Sequence, residues 1–399
     1  MLRKVEVENF MCLKNVSVEL DPFTVLVGRN AAGKSAIFKA LVTLARLVGD
    51  RPAPVRGPRG EFFLEPGVTL DDLVWRGDSG LPMKFRVWFD NDGDEPGYSL
   101  ELKKGRAGWS VTREEMNIGG ARIRVDEEQA FEHPTERVGT RQWQVPLPGT
   151  LRYAVRGFVR DEVARPAIEP ILQNAQRFGQ AWRYRPSALD IGAFARTVGE
   201  GDETARRFVM PNGRGLPAVL QELQGREREV FTHIEEDLRR TFPHVRTIGF
   251  DAGPEGVRLS FMTERSNSLV PGPQEADGVL LATFLLWRLR TAKAPITICL
   301  EDPESGLYPE LLEERYKLLQ EFTTPAANAA CPQILVSTHS IEFLRTLRRH
   351  HSDFPMVRVV EFGERDGTCV ESLRGYRDAG KLLEHFTAGD SLLPSRWPR

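Results

Sequence analysis

Hydrophobic residues near the N-terminus change from an alternating pattern to a continuous run. The segments KVEVENF and VSVELDPFTVLVG alternate and then become fully apolar, which predicts an edge strand followed by a buried strand. The next segment, SAIFKALVTLARLVGD, places Ile37, Leu41, Leu44 and Val48 on one face at helical spacing. This spacing predicts a helix that Gly49 can end. A buried strand followed directly by a helix is typical of an α/β protein.

The middle of the chain has two further patterns. Short alternating runs between about 68 and 153 predict small antiparallel strands. From about 155 the apolar positions recur every three or four residues, which predicts a helical insertion, or arm, over 155–245. We therefore divide the chain into an N-terminal lobe at 1–154, this arm, and a C-terminal lobe at 246–399.

The C-terminal lobe returns to buried strands and apolar helices. A long apolar helix is predicted over roughly 277–290, and the apolar strands ITICL and QILVS flank a helix at about 309–322. A strand–helix–strand order with apolar strands indicates a parallel α/β core.

Composition excludes several classes of protein. With 399 residues, 41% hydrophobic and 28% charged, the chain has the profile of an ordinary globular protein with two or three lobes. The formal net charge of −2 gives no overall basic field for nucleic acid, although a local basic face is compatible with it. The N-terminus lacks a signal-peptide core, and no run reaches the roughly 20 apolar residues of a membrane span. Four widely spaced cysteines predict reduced thiols, so we expect a cytoplasmic protein without a membrane association.

One glycine-rich segment carries a phosphate-binding pattern. VLVGRNAAGKSAIF fits G-x-x-x-x-G-K-[ST] at Gly28, Gly33, Lys34 and Ser35, between a predicted buried strand and a predicted helix. Glycines let successive N–H groups turn toward phosphate oxygens, and the helix N-terminus adds its positive end. In this pattern Lys34 reaches the β and γ phosphates and Ser35 ligates Mg²⁺; the alternative is a chance glycine-rich turn. The residues expected to line the nucleotide are Gly28, Arg29, Asn30, Ala31, Ala32, Gly33, Lys34, Ser35 and Ala36.

Two acids end the predicted strand ITICL. Carboxylates at the end of a buried strand are costly unless a cation or a proton transfer requires them. A phosphate-binding loop needs an acid at a neighbouring strand end, so we assign Glu301 to the metal and Asp302 to the attacking water. Pro303 predicts an extended backbone at Asp302. The alternative is an ordinary strand-to-helix turn that Glu304 or Ser305 caps.

A second apolar strand, QILVS, also ends in polar residues. His339 follows Ser337 and Thr338, where its ring could hydrogen-bond the γ phosphate or the attacking water. A capping or otherwise satisfied histidine is the alternative. As a third strand end beside a phosphate-binding loop and an acid pair, His339 is predicted to be catalytic.

Three segments in this order carry a family resemblance. VENFMCLKNVSVELDPFTVLVGRNAAGKS, LEDPESGLYP and VSTHS resemble ABC-type ATPases of the SMC/RecF kind, most closely the compact bacterial group related to OLD-family ATPases. The resemblance is strong over roughly 1–50 and 205–345 and weaker between them. It implies an α/β P-loop NTPase with an ABC- or SMC-like head, a mixed sheet, an antiparallel β part and a helical arm.

The resemblance also implies an assembly. Such ATPases dimerise head to tail around two ATP molecules, and each ATP contacts the P-loop of one subunit and the signature segment of the other. The matching stretch here is PQEADGVLLATFLL, in which Asp277 and Gly278 match but Ala276 replaces the expected serine. Losing one charge-assisted hydrogen bond costs roughly 1.5–3 kcal/mol, which would weaken dimerisation or slow hydrolysis. The acids are ordered Glu-Asp instead of Asp-Glu, which sets the Asp302 carboxylate further from the water.

The leading functional hypothesis is an ATP-hydrolysing homodimer, or higher even oligomer, that acts as a switch or scaffold for a partner. The resemblance suggests DNA maintenance or anti-phage defence with a separately encoded effector, often a nuclease. The sixty residues after His339 are too few for an appended nuclease domain. A non-catalytic scaffold locked by ATP is the first alternative. A monomeric kinase or GTPase is a weaker one, since no N-K-x-D motif is present.

Arginine-rich segments add a further candidate partner. LRTLRRHH at 344–351 and the predicted arm could contact the phosphates of DNA or RNA. The alternative is a set of helix C-terminal cations and solvated faces. The arginines concerned are Arg152, Arg156, Arg160, Arg165, Arg177, Arg183, Arg185, Arg345, Arg348 and Arg349.

Overall fold

The structure is a computed structural model. It describes residues 1–48, 55–56, 62–63, 68–90, 93–106, 108–118, 121–126, 129–133, 142–144, 181–184, 209, 213, 215–253, 256–264, 266, 268–274, 277–292, 296–304, 309–323, 332–350, 356–363 and 365–373. The chain divides into two compact units, Met1–Ala181 with Asp353–Arg399 and Trp182–Ser352.

Within the described ranges, strands outnumber helices. The strands are β1 Leu2–Phe10, β2 Leu13–Glu19, β3 Phe23–Val27, β4 Val55–Arg56, β5 Phe62–Phe63, β6 Met83–Phe89, β7 Tyr98–Gly105, β8 Gly108–Ile118, β9 Ala121–Asp126, β10 Gln129–His133, β11 Gln142–Gln144, β12 Ala181–Tyr184, β13 Val245–Gly253, β14 Gly256–Thr263, β15 Leu269–Pro271, β16 Thr297–Glu301, β17 Gln333–Thr338, β18 Val357–Gly363 and β19 Gly367–Ser372. The helices are α1 Lys34–Val48, α2 Leu216–Arg226, α3 Arg228–Thr241, α4 Asp277–Arg290, α5 Pro309–Thr323 and α6 Ile341–His350.

The first unit contains an antiparallel sheet of eight strands, in the order β11-β10-β9-β8-β7-β6-β1-β2. On β1, Val5 and Val7 are buried while intervening residues are more accessible, as expected where one face of a sheet is covered. Phe10 at the end of β1 packs edge-on against Phe85 of β6, with ring centroids 5.7 Å apart. The antiparallel strands predicted between 68 and 153 are confirmed where the structure describes that range.

The first unit also contains the strand that leads into the glycine-rich segment. β3 pairs in parallel with β18, with Val25 opposite Val357, and β18 and β19 form an antiparallel hairpin. All five residues of β3 are buried, which matches the prediction from its continuous apolar run. Ile37, Leu41 and Leu44 of α1 are buried as predicted.

The second unit contains the other predicted parallel strands. β16 and β17 pair in parallel from Thr297 opposite Gln333 to Glu301 opposite Ser337, and α5 lies between them in the chain. α4 is buried around most of its circumference, as a largely apolar helix requires. β13, β14 and β15 form a separate antiparallel sheet. The α/β fold class with mixed and antiparallel sheets is therefore confirmed.

The predicted arm holds both helices and a strand. α2 and α3 are helical, and α3 packs against β13 and α4. β12 is extended, because Trp182 and Tyr184 belong to residue types that favour strands. Residues 155–180, 185–208, 210–212 and 214 of the predicted arm lie outside the described residues. Among the helices that the structure describes, none has the length and apolar content required to cross a bilayer.

Candidate functional site

The loop between β3 and α1 is held by a buried strand on one side and a helical turn on the other. The N–H groups of Ala36 and Ile37 donate to the Gly33 carbonyl at 3.0 and 3.1 Å, which begins the helical hydrogen-bond pattern. Residues 29–31 are exposed at the tip of the loop. The strand–loop–helix context that the phosphate-binding pattern requires is therefore present.

Lys34 folds back over this loop. Its ammonium group donates to the carbonyls of Gly28 at 2.6 Å and Arg29 at 2.8 Å, and the residue is only 8% exposed. A buried ammonium group requires such acceptors. Ser35 is half-buried in the first turn of the same helix. A cation and a helix N-terminus on one loop favour an anionic ligand there.

The C-terminal hairpin of the first unit sets the space around the loop glycines. A Cβ atom on Gly28 would lie 2.1 Å from the Val360 carbonyl oxygen, and one on Gly33 would lie 2.2 Å from Thr368 Oγ1. Gly33 also has a φ of 110°, a conformation that side chains disfavour. Thr368 Oγ1 donates to the Ala32 carbonyl at 2.9 Å. Sequence reasoning missed this contact, because no local pattern links β19 to the loop.

In the second unit, the predicted acid and histidine meet at the carboxyl ends of two parallel strands. Asp302 follows β16 directly, and His339 follows β17 directly. The Asp302 N–H donates to the Ser337 carbonyl at 2.8 Å, which joins the two strand ends. His339 Nδ1 lies 2.9 Å from Asp302 Oδ1, and both side chains are partly exposed. An imidazole held by a carboxylate at one nitrogen can present its other nitrogen to a ligand.

The prediction of an extended backbone at Asp302 is wrong. Its φ is 45°, in the left-handed region. The local preference imposed by Pro303 is outweighed, because the Asp302 N–H bonds Ser337 and its carboxylate reaches His339. Aspartate tolerates this conformation better than most residues, and strained backbones of this kind cluster at functional sites.

Glu304 lies beside this pair, although its sequence position suggested only a cap. Thr338 Oγ1 donates to Glu304 Oε1 at 2.6 Å, while Oε2 is buried and has no hydrogen-bond partner within the described part of the chain. Burial raises the pKa of the Glu304 carboxyl, and the bond from Thr338 partly offsets this. Two features of the sequence could have indicated this contact. Glu304 is a third carboxylate after the end of β16, and Thr338 ends the neighbouring strand β17.

The structure provides ligands that suit a divalent cation. Ligand atoms of Asp302, Glu304 and His339 lie within 4.8 Å of one another. Carboxylate oxygens are ligands that Mg²⁺ prefers, and the unpartnered Glu304 oxygen is compatible with a cation or its bound water. Glu301, assigned to the metal from sequence, is the last residue of β16 and is 2% exposed. Ser35, its predicted partner in metal binding, belongs to the first unit, whereas Glu301 belongs to the second.

The signature-like segment is described at Pro273 and Gln274 and again from Asp277 onward. Asp277 is exposed at the first position of α4 and Gly278 is buried at the second. Ala276 lies outside the described residues, so the effect of its missing hydroxyl stays a prediction.

The basic segment at the end of α6 is largely paired with acids. Arg345 bonds Glu342, while Arg349 and His350 lie 3.4 and 3.6 Å from Glu313 carboxylate oxygens. These pairs favour the interpretation of helix cations on a solvated face over a phosphate-binding patch. The predicted arginines of the arm lie outside the residues whose side chains are described.

Comparison with known proteins identifies two ATPase domain matches. Residues 1–89 match a family model described as an AAA ATPase domain. Residues 161–345 match a second one, described as an AAA domain, putative AbiEii toxin, type IV toxin–antitoxin system. The first match contains the glycine-rich loop, and the second contains Asp302 and His339. Together the two matches cover more than half of the chain.

A curated relative and two solved structures are also similar. An OLD nuclease from Thermus scotoductus is 44% identical over 413 residues, an alignment that covers 94% of this chain and 66% of the relative. The SMC head domain from Thermotoga maritima is 13% identical with a TM-score of 0.38, covering 93% of this chain and 98% of that one. The Pyrococcus furiosus Smc head bound to the C-terminal domain of ScpA is 15% identical with a TM-score of 0.44, covering 96% and 98%.

The family models and the OLD relative agree with the ordered motifs of this chain. The P-loop pattern lies in the first matched region, and the strand-end acids and histidine lie in the second. The OLD relative is similar over nearly the whole of this chain, and this chain spans about two thirds of that relative. The chain therefore belongs to the AAA-type P-loop ATPases and is related to OLD proteins.

Proposed function

We propose that the protein binds ATP with Mg²⁺ and hydrolyses it, and that hydrolysis switches an assembly with a partner. The observation that carries this proposal is the hydrogen bond between Asp302 and His339 at the ends of two parallel strands. A structural turn requires no such pair, whereas a hydrolase requires a group that orients water and one that senses the phosphate. The proposal goes beyond family membership, because it assigns ATP hydrolysis to this chain.

Phosphate binding is assigned to the loop of the first unit. The backbone N–H groups from Asn30 to Ser35 would surround the β and γ phosphates. Lys34 would exchange the Gly28 and Arg29 carbonyls for phosphate oxygens, which offer negative charge as well as lone pairs. A bound Mg²⁺ ion would neutralise charge that develops on the phosphates. Ser35 and Glu301 are the residues that we propose to hold it or its waters.

Water activation is assigned to the strand-end pair of the second unit. With Nδ1–H donating to Asp302 Oδ1, the His339 ring is held in one orientation and Nε2 is left for the γ phosphate or the water. The second Asp302 oxygen would accept a proton from the attacking water. General-base assistance of this kind contributes about 10²–10⁴-fold in rate.

The active form that we propose is a homodimer in which the start of α4 contacts the ATP of the other subunit. Asp277 is exposed at that helix start, which is compatible with a contact across subunits. The OLD relative is named a nuclease, and about a third of its length lies outside the alignment. We therefore propose that a nuclease on a separate chain or segment is the effector, in DNA maintenance or anti-phage defence.

A non-catalytic scaffold is the second candidate, and Ala276 favours it. The missing hydroxyl removes one charge-assisted bond to the partner's γ phosphate, so ATP could lock a dimer without efficient turnover. Ala276→Ser should raise turnover well above the wild type if this candidate is right. An unchanged rate in that variant would count against it.

The experiment that tests the first proposal measures ATP binding and steady-state phosphate release in matched variants. Lys34→Ala should abolish binding, whereas Lys39→Ala, on the same helix, should retain it. Asp302→Asn should bind ATP normally and lose about 10²-fold or more in kcat. Asp251→Asn, an exposed aspartate of the same unit that pairs with Arg258, serves as its control. Absence of both binding and turnover in the wild type would reject the proposal.

A further inference from the structure

One buried arginine joins the Asp302 segment to the start of α4. Arg315 lies within α5 and is 2% exposed. Its Nη1 donates to the Pro303 carbonyl at 3.0 Å, and its Nη2 donates to the Gly278 carbonyl at 2.9 Å. Pro303 directly follows Asp302, and Gly278 is the second residue of α4. The guanidinium group of Arg315 therefore connects two segments. The proposed function assigns the Asp302 segment to water activation and the start of α4 to contact with the ATP of the other subunit.

Burying the charged side chain of Arg315 carries a large desolvation cost. Burial lowers the pKa of Arg315 to about 10, so the group stays charged near neutral pH. Within the described ranges no ion pair joins it to a carboxylate, and its guanidinium carbon lies over the ring of Phe242, 6.0 Å from the ring centroid. An apolar side chain of similar size would fill the position with a smaller desolvation penalty. The two carbonyl bonds are thus the specific features that an arginine supplies there.

The geometry of these bonds constrains both segments at once. The planar guanidinium group holds its donors in a fixed relative direction, which an ammonium group does not. At one end it restrains the peptide group that follows Asp302. The φ of Asp302 is 45°, a strained value that persists only when neighbouring contacts hold the backbone in place. At the other end it donates to the Gly278 carbonyl in the first turn of α4. In a regular helix the same carbonyl also accepts a hydrogen bond from Ala282 N–H. If the Pro303 or the Gly278 carbonyl moves, the guanidinium group moves with it, and its hydrogen bond to the other carbonyl changes.

We propose that Arg315 is a positioning residue that couples the Asp302 segment to the first turn of α4. The proposal rests on the proposed function, in which Asp302 acts on one ATP while Asp277 and Gly278 contact the ATP of the second subunit. The state of one ATP site is then transmitted, through Arg315, to the surface that serves the other site. Such coupling predicts cooperativity between the two ATP molecules of a dimer.

Hydrogen–deuterium exchange of the full chain tests the coupling without requiring turnover. Exchange at the start of α4 is measured in the wild type, Asp302→Asn, Arg315→Lys and the double variant. Asp302→Asn should change exchange in the first turn of α4 when Arg315 is present, and should have no effect there in the Arg315→Lys background. The same change in both backgrounds would overturn the proposal, as would no change in either.

Kinetics provide the second measurement. In Arg315→Lys, kcat should fall on the order of tenfold with loss of cooperativity in ATP, while the ATP Kd stays within about twofold because the P-loop is not altered. Arg240→Lys is the matched control, since Arg240 anchors the same helix through an exposed pair with Glu321. It should leave kcat and cooperativity unchanged.

The two measurements also separate this proposal from the proposed function. Parallel losses of melting temperature, ATP affinity and kcat in Arg315→Lys would indicate a purely structural role and overturn the proposal. An unchanged kcat and cooperativity would do the same. If the wild type fails to hydrolyse ATP, the proposed function fails, while the exchange experiment still decides whether Arg315 couples the two segments.

Discussion

The hydroxyl of Thr368 donates a hydrogen bond to the carbonyl of Ala32, a residue 336 positions earlier, at 2.9 Å. The N–H of Thr368 donates to the Cys12 carbonyl at 3.1 Å, and the residue is 1% exposed. The glycine-rich loop is therefore braced from behind by the last described strand of the chain. Such a brace maintains the loop in one conformation before any ligand binds, which lowers the ordering cost of binding.

Replacing Thr368 with valine should weaken ATP binding without unfolding the protein. Valine keeps the shape and removes the donor, so the buried Ala32 carbonyl is left unsatisfied at a cost of about 1–3 kcal/mol. Because the same bond orders the loop, we expect the ATP Kd to rise by about tenfold. Titration with a fluorescent ATP analogue measures the change. Ser372→Ala at the far end of β19 is the control, and equal affinities in both variants would contradict the brace.

Alanine at Gly28 or Gly33 should abolish nucleotide binding and lower thermal stability. Each new Cβ atom would lie within 2.1–2.2 Å of an atom of the C-terminal hairpin, and Gly33 would also be strained at a φ of 110°. Gly225→Ala offers a matched comparison, since a Cβ atom there meets nothing within 4 Å and the residue lies in α2. That variant should be more stable by roughly 0.5–1 kcal/mol. Thermal melting and ATP titration distinguish the three variants.

Glycine and alanine at position 302 should differ in stability although neither can activate water. A left-handed backbone costs a residue with a Cβ atom about 1–2 kcal/mol, and glycine avoids this cost. We expect Asp302→Gly to be more stable than Asp302→Ala by roughly 1 kcal/mol in urea unfolding, because both lose the same carboxylate. If Asp302→Ala were the more stable of the two, the strained backbone at this position would be refuted.

Glu361→Gln should stabilise the protein near neutral pH, with a gain that disappears on acidification. Burial raises the pKa of Glu361 above its ordinary value of 4.5, and the nearby Glu371 carboxylate raises it further. Between the ordinary and raised pKa values the folded state binds more protons than the unfolded state, so wild-type stability falls as pH rises through that window. Above it, the charged carboxylate remains unfavourable.

Melting curves of both proteins across the acidic range measure this effect. The difference between Glu361→Gln and the wild type should be largest near neutral pH and should vanish as pH falls below 4.5. Glu95→Gln, an exposed acid of the same unit, should show no such trend. A difference that stays constant with pH would assign the gain to something other than the Glu361 charge.

The glycine-rich loop could be predicted from sequence because strand, glycines and helix are consecutive. Each element has a local signal, from the apolar run of β3 to the helical spacing of Ile37, Leu41 and Leu44. Thr368 could not be predicted, since its bond to Ala32 depends on the pairing of β18 with β3 and of β19 with β18. A single sequence carries no local signal for contacts of such separation.

The strand-end cluster was partly predictable. Asp302 and His339 could be paired in advance because both follow apolar strands, and parallel strands place such ends at one edge. The backbone of Asp302 was predicted wrongly, since the preference of a residue before proline is small compared with two specific hydrogen bonds. Glu304 was interpreted only as a cap, because its bond to Thr338 requires β16 and β17 to lie side by side.

The first unit is assembled from the two ends of the chain, with the second unit synthesised in between. A ribosome therefore releases the glycine-rich loop long before it releases the hairpin that braces it. Until Thr368 emerges, the loop of a nascent chain lacks its brace, and its affinity for ATP should be low. Because domains generally fold as units during synthesis, the second unit can fold before the glycine-rich loop acquires its brace from Thr368.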